Sequence, residues 1–120
     1  MRPIKFRAWD KRLKLMTRPF GIGEGIVFYD GQQTYYNTNH IPMQYTGMKD
    51  KNGKEIYEGD IVEYRKDVAI IKYINSAFML AYINEDKYDF IEVLYKYSPK
   101  AYKLKVIGNI YENPELLKGE

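Results

Sequence analysis

The sequence predicts a mainly β protein, a small antiparallel barrel or sandwich of about seven to nine short strands with one short C-terminal helix. Three observations carry that prediction. Apolar runs of strand length recur along the chain, separated by turn residues at strand-and-turn spacing. Aromatic residues make up 16% of the sequence, thirteen of them tyrosines, and Tyr, Phe, Ile and Val suit pleated, half-buried surfaces. The punctuation between runs, Asp30-Gly31, Asn52-Gly53, Gly59-Asp60 and Asn75-Ser76, is the chemistry of tight reversals.

Taken in order, Ile4 to Trp9 alternates with period two, placing Ile4, Phe6 and Ala8 on one face and Lys5 and Arg7 on the other. With Leu13 to Met16 alternating again, residues 4–16 read as a hairpin. Residues 17–25, holding Pro19, Gly21, Gly23 and Gly25, read as a loop. Ile26–Tyr29 and Gln33–Tyr36 flank Asp30-Gly31 as a second hairpin. A polar connection over residues 37–40 leads to a short strand at Ile41–Tyr45, where Pro42 favours an edge.

The stretch YTGMKDKNGKEIYEGDIV, residues 45–62, crowds two turn signals into ten residues and feeds the strand that begins at Ile61. Val68–Ile74 and Ala77–Ile83 are apolar runs two residues apart, which is hairpin spacing, and their hydrophobicity marks them as the most buried strands. Residues 89–97 follow helical spacing, suggesting a short helix or irregular crossover. Tyr102–Tyr111 returns to period two, with Leu104, Val106, Gly108 and Ile110 on one face. Asn113-Pro114-Glu115 supplies an N-cap, a proline at the first helical position and an early carboxylate for a final helical turn.

Length and composition bound the rest. A chain of 120 residues is one domain's worth, so residues 1–120 are expected to form a single β domain. With no cysteine, disulfides, thiolate metal sites and cysteine nucleophiles are excluded. The N-terminus lacks the apolar run of a signal peptide, and no segment approaches the ~20 apolar residues of a membrane span, so a soluble cytoplasmic protein is expected.

The residues that could carry chemistry are few. His40 is the single histidine and, among Thr38, Asn39 and Pro42, reads as a loop residue. Ser76 and Ser98 both sit in turn contexts. Glu58 and Asp60, with Asp50 and Glu55, could gather around a cation, but acids beside glycine-containing turns more commonly bond to free turn amides. A metal-dependent nuclease pattern, Asp60 followed by Glu85-Asp86-Lys87, exists only in letters, because the latter three read as a turn. Gly21, Gly23 and Gly25 lack the Gly-Lys-Ser/Thr ending and long helix of a phosphate loop. No catalytic residue, metal site, cofactor or small-molecule substrate is expected.

Charge is distributed unevenly. Residues 1–18 hold seven basic residues against Asp10 alone, although the whole chain is only +3. Lys5, Arg7 and Trp9 would share the outer face of the first strand, with Arg12 and Lys14 on its hairpin partner. Such a face could bind nucleic acid, with tyrosines stacking on bases. Charged outer faces are equally the ordinary way an antiparallel sheet stays in solution.

Three blocks, IKFRAWD at 4–10, YTGMKDKNGKEIYEGDIV at 45–62 and VIGNIYENPELL at 106–117, together resemble the YopX family of bacteriophages and prophages. The resemblance implies a mainly β fold, a phage or prophage origin and a bacterial cytoplasmic setting. It implies no reaction, and residues 17–44 match no family block. The expectation is therefore a non-enzymatic protein that acts by binding, through self-association or a host or phage protein, with nucleic-acid binding as the alternative.

Overall fold

The computed structural model describes residues 4–21, 26–29, 32–83, 91–94 and 101–117. The protein is mainly β, as expected, with twelve antiparallel strands among those residues. The chain groups into two compact units, Met1–Tyr45 and Thr46–Glu120.

In the first unit, β1 (Lys5–Asp10) and β2 (Leu15–Met16) form the expected hairpin, with Trp9 opposite Met16 and Asp10 opposite Leu15. The expected loop at 17–25 is only partly a loop. Phe20-Gly21 forms β3 and pairs with the start of β1, setting Phe20 opposite Phe6. Thr17 makes this possible: its hydroxyl accepts the Ala8 N–H at 2.8 Å and its own N–H donates to the Ala8 carbonyl at 2.9 Å. Residues 22–25, including Gly23 and Gly25, lie outside the described residues. β4 (Ile26–Tyr29) and β5 (Gln32–Tyr35) form the second expected hairpin.

The predicted short strand at 41–45 is instead the first half of β6 (His40–Lys49), and residues 40–44 pair with β1. Pro42 fits because both main-chain groups of its partner Ala8 point to Thr17, so the Ala8–Pro42 pair exchanges no ladder bonds. Alternation along β6 shifts at Gly47, whose φ of 85° is left-handed, so Tyr45, Thr46 and Met48 are all buried.

In the second unit, β7 (Glu55–Tyr57) lies beside β6, with the Thr46 hydroxyl donating to the Ile56 carbonyl at 2.7 Å. A five-stranded sheet follows in the order β11-β10-β9-β8-β12. Its strands are β8 (Asp60–Tyr64), β9 (Asp67–Ile74), β10 (Ala77–Tyr82), β11 (Ile91–Val93) and β12 (Lys105–Asn109). Its core joins Ile56, Val62, Ala69, Ile71, Phe78, Leu80, Leu94 and Leu104. Each fully buried Ile or Leu there contributes about 1.5–3 kcal/mol relative to exposure. Ile61 and Ala81, which point to the opposite face, are buried as well, which explains why these strands read as near-continuous apolar runs.

Three expectations change in this unit. Residues 91–93 form strand β11 on β10 rather than helix, because the open edge of β10 supplies main-chain partners that local spacing does not reveal. The predicted strand at 102–111 is a 3-10 turn at Ala101–Lys103 and then β12. A bulge between Val106 and Gly108 reverses the facing pattern, so Asn109 is buried where Ile110 was expected. The C-terminal helical turn is present as a 3-10 turn at Pro114–Leu117. Asn113, however, turns its side chain back to accept the Asn109 N–H at 3.1 Å instead of capping forward.

The β9–β10 hairpin turns on Asn75 and Ser76, with φ of 51° and 65°, as a type I′ reversal demands. Ser76 holds that conformation against its Cβ, so Ser76→Gly is predicted to raise stability by about 1 kcal/mol in urea unfolding. Gly108→Ala should act oppositely. An added Cβ would stand 2.6 Å from Asn113 Oδ1 and 2.9 Å from its Cβ, and overpacking of that kind costs about 1–3 kcal/mol.

Candidate functional site

The five residues expected to form a basic face are divided between a strand and a turn. Lys5, Arg7 and Trp9 do share a face of β1, but all three are half-buried, and the Lys5 ammonium lies 4.9 Å from the centroid of the Tyr45 ring. Opposed residues in an antiparallel pair share a face, so Arg7 sits beside Met43, which is 2% exposed. Arg12 and Lys14 lie in the Lys11–Lys14 turn rather than on β2, and both are exposed.

The other face of β1 carries the aromatic residues. Phe6 stacks on Phe20 at 6.4 Å, Phe20 meets Tyr36 at 6.4 Å, and Tyr36 stacks on the His40 ring at 5.6 Å. The strand cations Lys5 and Arg7 and this aromatic row are thus on opposite faces. They cannot serve one nucleic acid strand with phosphates on the cations and bases on those rings.

His40 is not the loop residue expected from its neighbours. It opens β6, is buried, and sits opposite Asp10, with Nε2 3.5 Å from Asp10 Oδ2. Its Nδ1 accepts the Asn37 N–H at 3.1 Å, which places the neutral ring's proton on Nε2, toward Asp10. The other oxygen of Asp10 accepts the N–H groups of Arg12 and Leu13, each at 2.9 Å. Both His40 nitrogens therefore face groups of the fold, and the Asp–His pair acts as a clamp on two turns. Nothing in the local sequence signals it, because the two residues meet only through strand register.

In the 45–62 stretch the two aspartates bond to main-chain amides, the more common of the two readings for them. Asp50 Oδ1 accepts the N–H groups of Asn52 and Lys54 at 2.8 Å each, around the left-handed Gly53. Its Oδ2 accepts the Val106 N–H at 2.9 Å, across 56 residues of sequence. Asp60 Oδ2 accepts the Tyr57 N–H at 2.7 Å and is 1% exposed. Glu55 accepts the Tyr57 hydroxyl at 3.0 Å, and the charge of Glu58, added to burial, raises the Tyr111 phenol above its ordinary value. No cluster of three or more such ligands suits a metal ion among the described residues. Glu85, Asp86 and Lys87 lie outside them.

Burial pushes the Asp50 carboxyl upward, but the amides of Val106, Lys54 and Asn52 and the Lys54 charge outweigh it, holding it below the usual aspartate range. A carboxyl lowered on folding stabilises the protein above its unfolded value of about 3.9 and loses that contribution as pH falls through the lower folded value. Asp50→Asn would turn an amide donor toward the Val106 N–H, or strand the turn amides, at a loss of about 2 kcal/mol. In urea unfolding across pH, the gap between wild type and Asp50→Asn should be constant near neutrality and shrink below about pH 4. A gap that stays constant into strong acid would refute this assignment.

No curated protein matches the chain. Matching solved structures include the crystal structure of protein EF1440 from Enterococcus faecalis. It is 31% identical, with 96% of this chain and 98% of that chain covered and a TM-score of 0.54. The family model for the YopX protein matches residues 26–118, which takes in the 45–62 and 106–117 blocks, the Asp50 and Asp60 turns and part of the stretch at 17–44 that held no family block. IKFRAWD falls outside that span. On that span of family match, the chain belongs to the YopX family.

Proposed function

We propose that this protein acts by binding a protein partner or a second copy of itself, without catalysis, in a phage or prophage setting in the cytoplasm of a bacterial cell. The phage setting rests on the sequence resemblance, and the bacterial source of EF1440 agrees with a bacterial cell. Support for binding over catalysis comes from the uses found for Asp10, His40, Asp50 and Asp60, each engaged in holding backbone turns.

One observation carries the reading. Among the described residues, β4 and β5 hydrogen-bond only to each other as a two-stranded sheet. A hairpin of this kind is marginal alone in water, and its outer edges, unpaired among the described residues, offer main-chain groups to a partner. Edges are ordinarily guarded by charge or proline, yet residues 31–39 contain neither. Tyr35 at 76% exposure and Tyr36 at 40% add the side-chain type enriched at protein interfaces.

Thr34 of β5 is exposed, so Thr34→Lys places a charge on that strand at a solvent-facing position. The wild-type chain should associate with rising concentration in sedimentation, or retain a protein partner when a tagged copy is purified from infected cells. The variant should lose that association with its thermal unfolding unchanged. A wild-type chain that remains monomeric and retains no partner would count against the proposal.

A further inference from the structure

The turn between β1 and β2 concentrates positive charge in a way that neither the fold nor the proposed protein contact requires. Lys11, Arg12 and Lys14 occupy three of its four positions, Arg18 follows shortly after, and all four cations are exposed. Asp10 is the one acid among the described residues of the first unit, and it is withdrawn. It is 4% exposed and directs its carboxylate to the Arg12 and Leu13 amides and to His40. The same bonds fix the turn. The Lys14 N–H closes on the Asp10 carbonyl at 2.7 Å, Lys14 takes a left-handed φ of 56°, and the Lys11 N–H donates to the Asn39 carbonyl at 2.8 Å. Lys11, Arg12 and Lys14 thus stand on a preorganised scaffold with no carboxylate exposed among them in the described residues.

Charge is also divided between the units. Residues 1–45 carry seven basic residues against three acids, whereas residues 46–120 carry twelve against thirteen. A surface kept in solution by charge normally intersperses both signs, and the second unit does so while this turn does not. We infer that the β1–β2 turn, through Lys11, Arg12, Lys14 and Arg18, docks on the phosphate backbone of nucleic acid. A linear polyanion with a charge every ~1.7 Å of duplex can meet several closely spaced cations at once, as scattered protein carboxylates cannot. Contacts to phosphates carry no sequence information, so docking of this kind is independent of sequence.

Fluorescence anisotropy with a short labelled duplex and its single strand, over a salt series, tests this. Wild type should bind at low salt and weaken steeply as salt rises. The Lys11→Gln, Arg12→Gln, Lys14→Gln triple variant should bind at least about tenfold more weakly, its log–log salt slope reduced by about 2 to 3, since each lost phosphate contact removes about 0.9 on duplex or about 0.7 on single strand. A control with equal charge loss on exposed lysines of the second unit, Lys66→Gln, Lys103→Gln and Lys105→Gln, should retain wild-type binding. Absence of wild-type binding at low salt, or equal loss in both triple variants, would overturn the assignment. So would capture by phosphatidylserine vesicles in place of nucleic acid, which would instead make the exposed Leu13 at this turn part of a membrane contact.

Discussion

The second unit depends on a single carboxylate satisfying main-chain donors that no strand can reach. Where the chain leaves β6 and reverses toward β7, the amides of Asn52 and Lys54 point into the turn, and on β12 the Val106 amide points away from β8. Asp50 accepts all three. The neighbouring Lys51 N–H donates to the Leu104 carbonyl, so two adjacent residues bind the turn to the β12 region. Leu104 is fully buried and Val106 nearly so, which places this polar joint beside the apolar core. An amide left without a partner at such depth would cost about 1–3 kcal/mol, so burial of the β12 residues and placement of the Asp50 turn require each other.

The corner at Glu58-Gly59 works by the same economy of main-chain bonds. Gly59, at φ 87°, lets the chain pass from β7 into β8, which belongs to a different sheet. Its N–H donates to the Ile71 carbonyl and its carbonyl accepts the Ile110 N–H, so the turn is fastened on two sides. Asp60 closes it from within by accepting the Tyr57 amide. In the first unit, Asp10 and His40 hold their own turns in like manner. Acidic residues that could suggest chemistry in a linear reading act as replacements for backbone carbonyls. The two proposed contacts fall instead on exposed surfaces of the first unit.

Those surfaces differ in character. The β4–β5 hairpin offers neutral main-chain edges and exposed tyrosine, whereas the β1–β2 turn offers fixed cations over a withdrawn acid. The first suits association by strand pairing and apolar contact, and the second suits a screened electrostatic contact whose strength varies with salt. Two modes of contact with different physical signatures can coexist in one chain without competing for the same residues.

Local physical chemistry determined much of this protein from the sequence alone. Alternation marked β1, turn residues marked the hairpins at 30–31 and 75–76, and the apolar runs marked β9 and β10, because each signal depends on neighbours in the chain. The same logic failed at Phe20-Gly21 and Ile91–Val93, whose strand state is conferred by open edges of β1 and β10. It failed again at Gly108, where a bulge reverses the facing of the residues that follow. For the candidate sites, composition revealed the surplus of charge in the first eighteen residues, and tertiary structure decided which cations face outward. Lys5 and Arg7 lie half-buried on a paired strand, while Lys11, Arg12 and Lys14 stand on a turn. The Asp10–His40 and Asp50–Val106 joints were illegible for the same reason. Residues tens of positions apart meet only after strand register is set, and register is a property of the folded sheets.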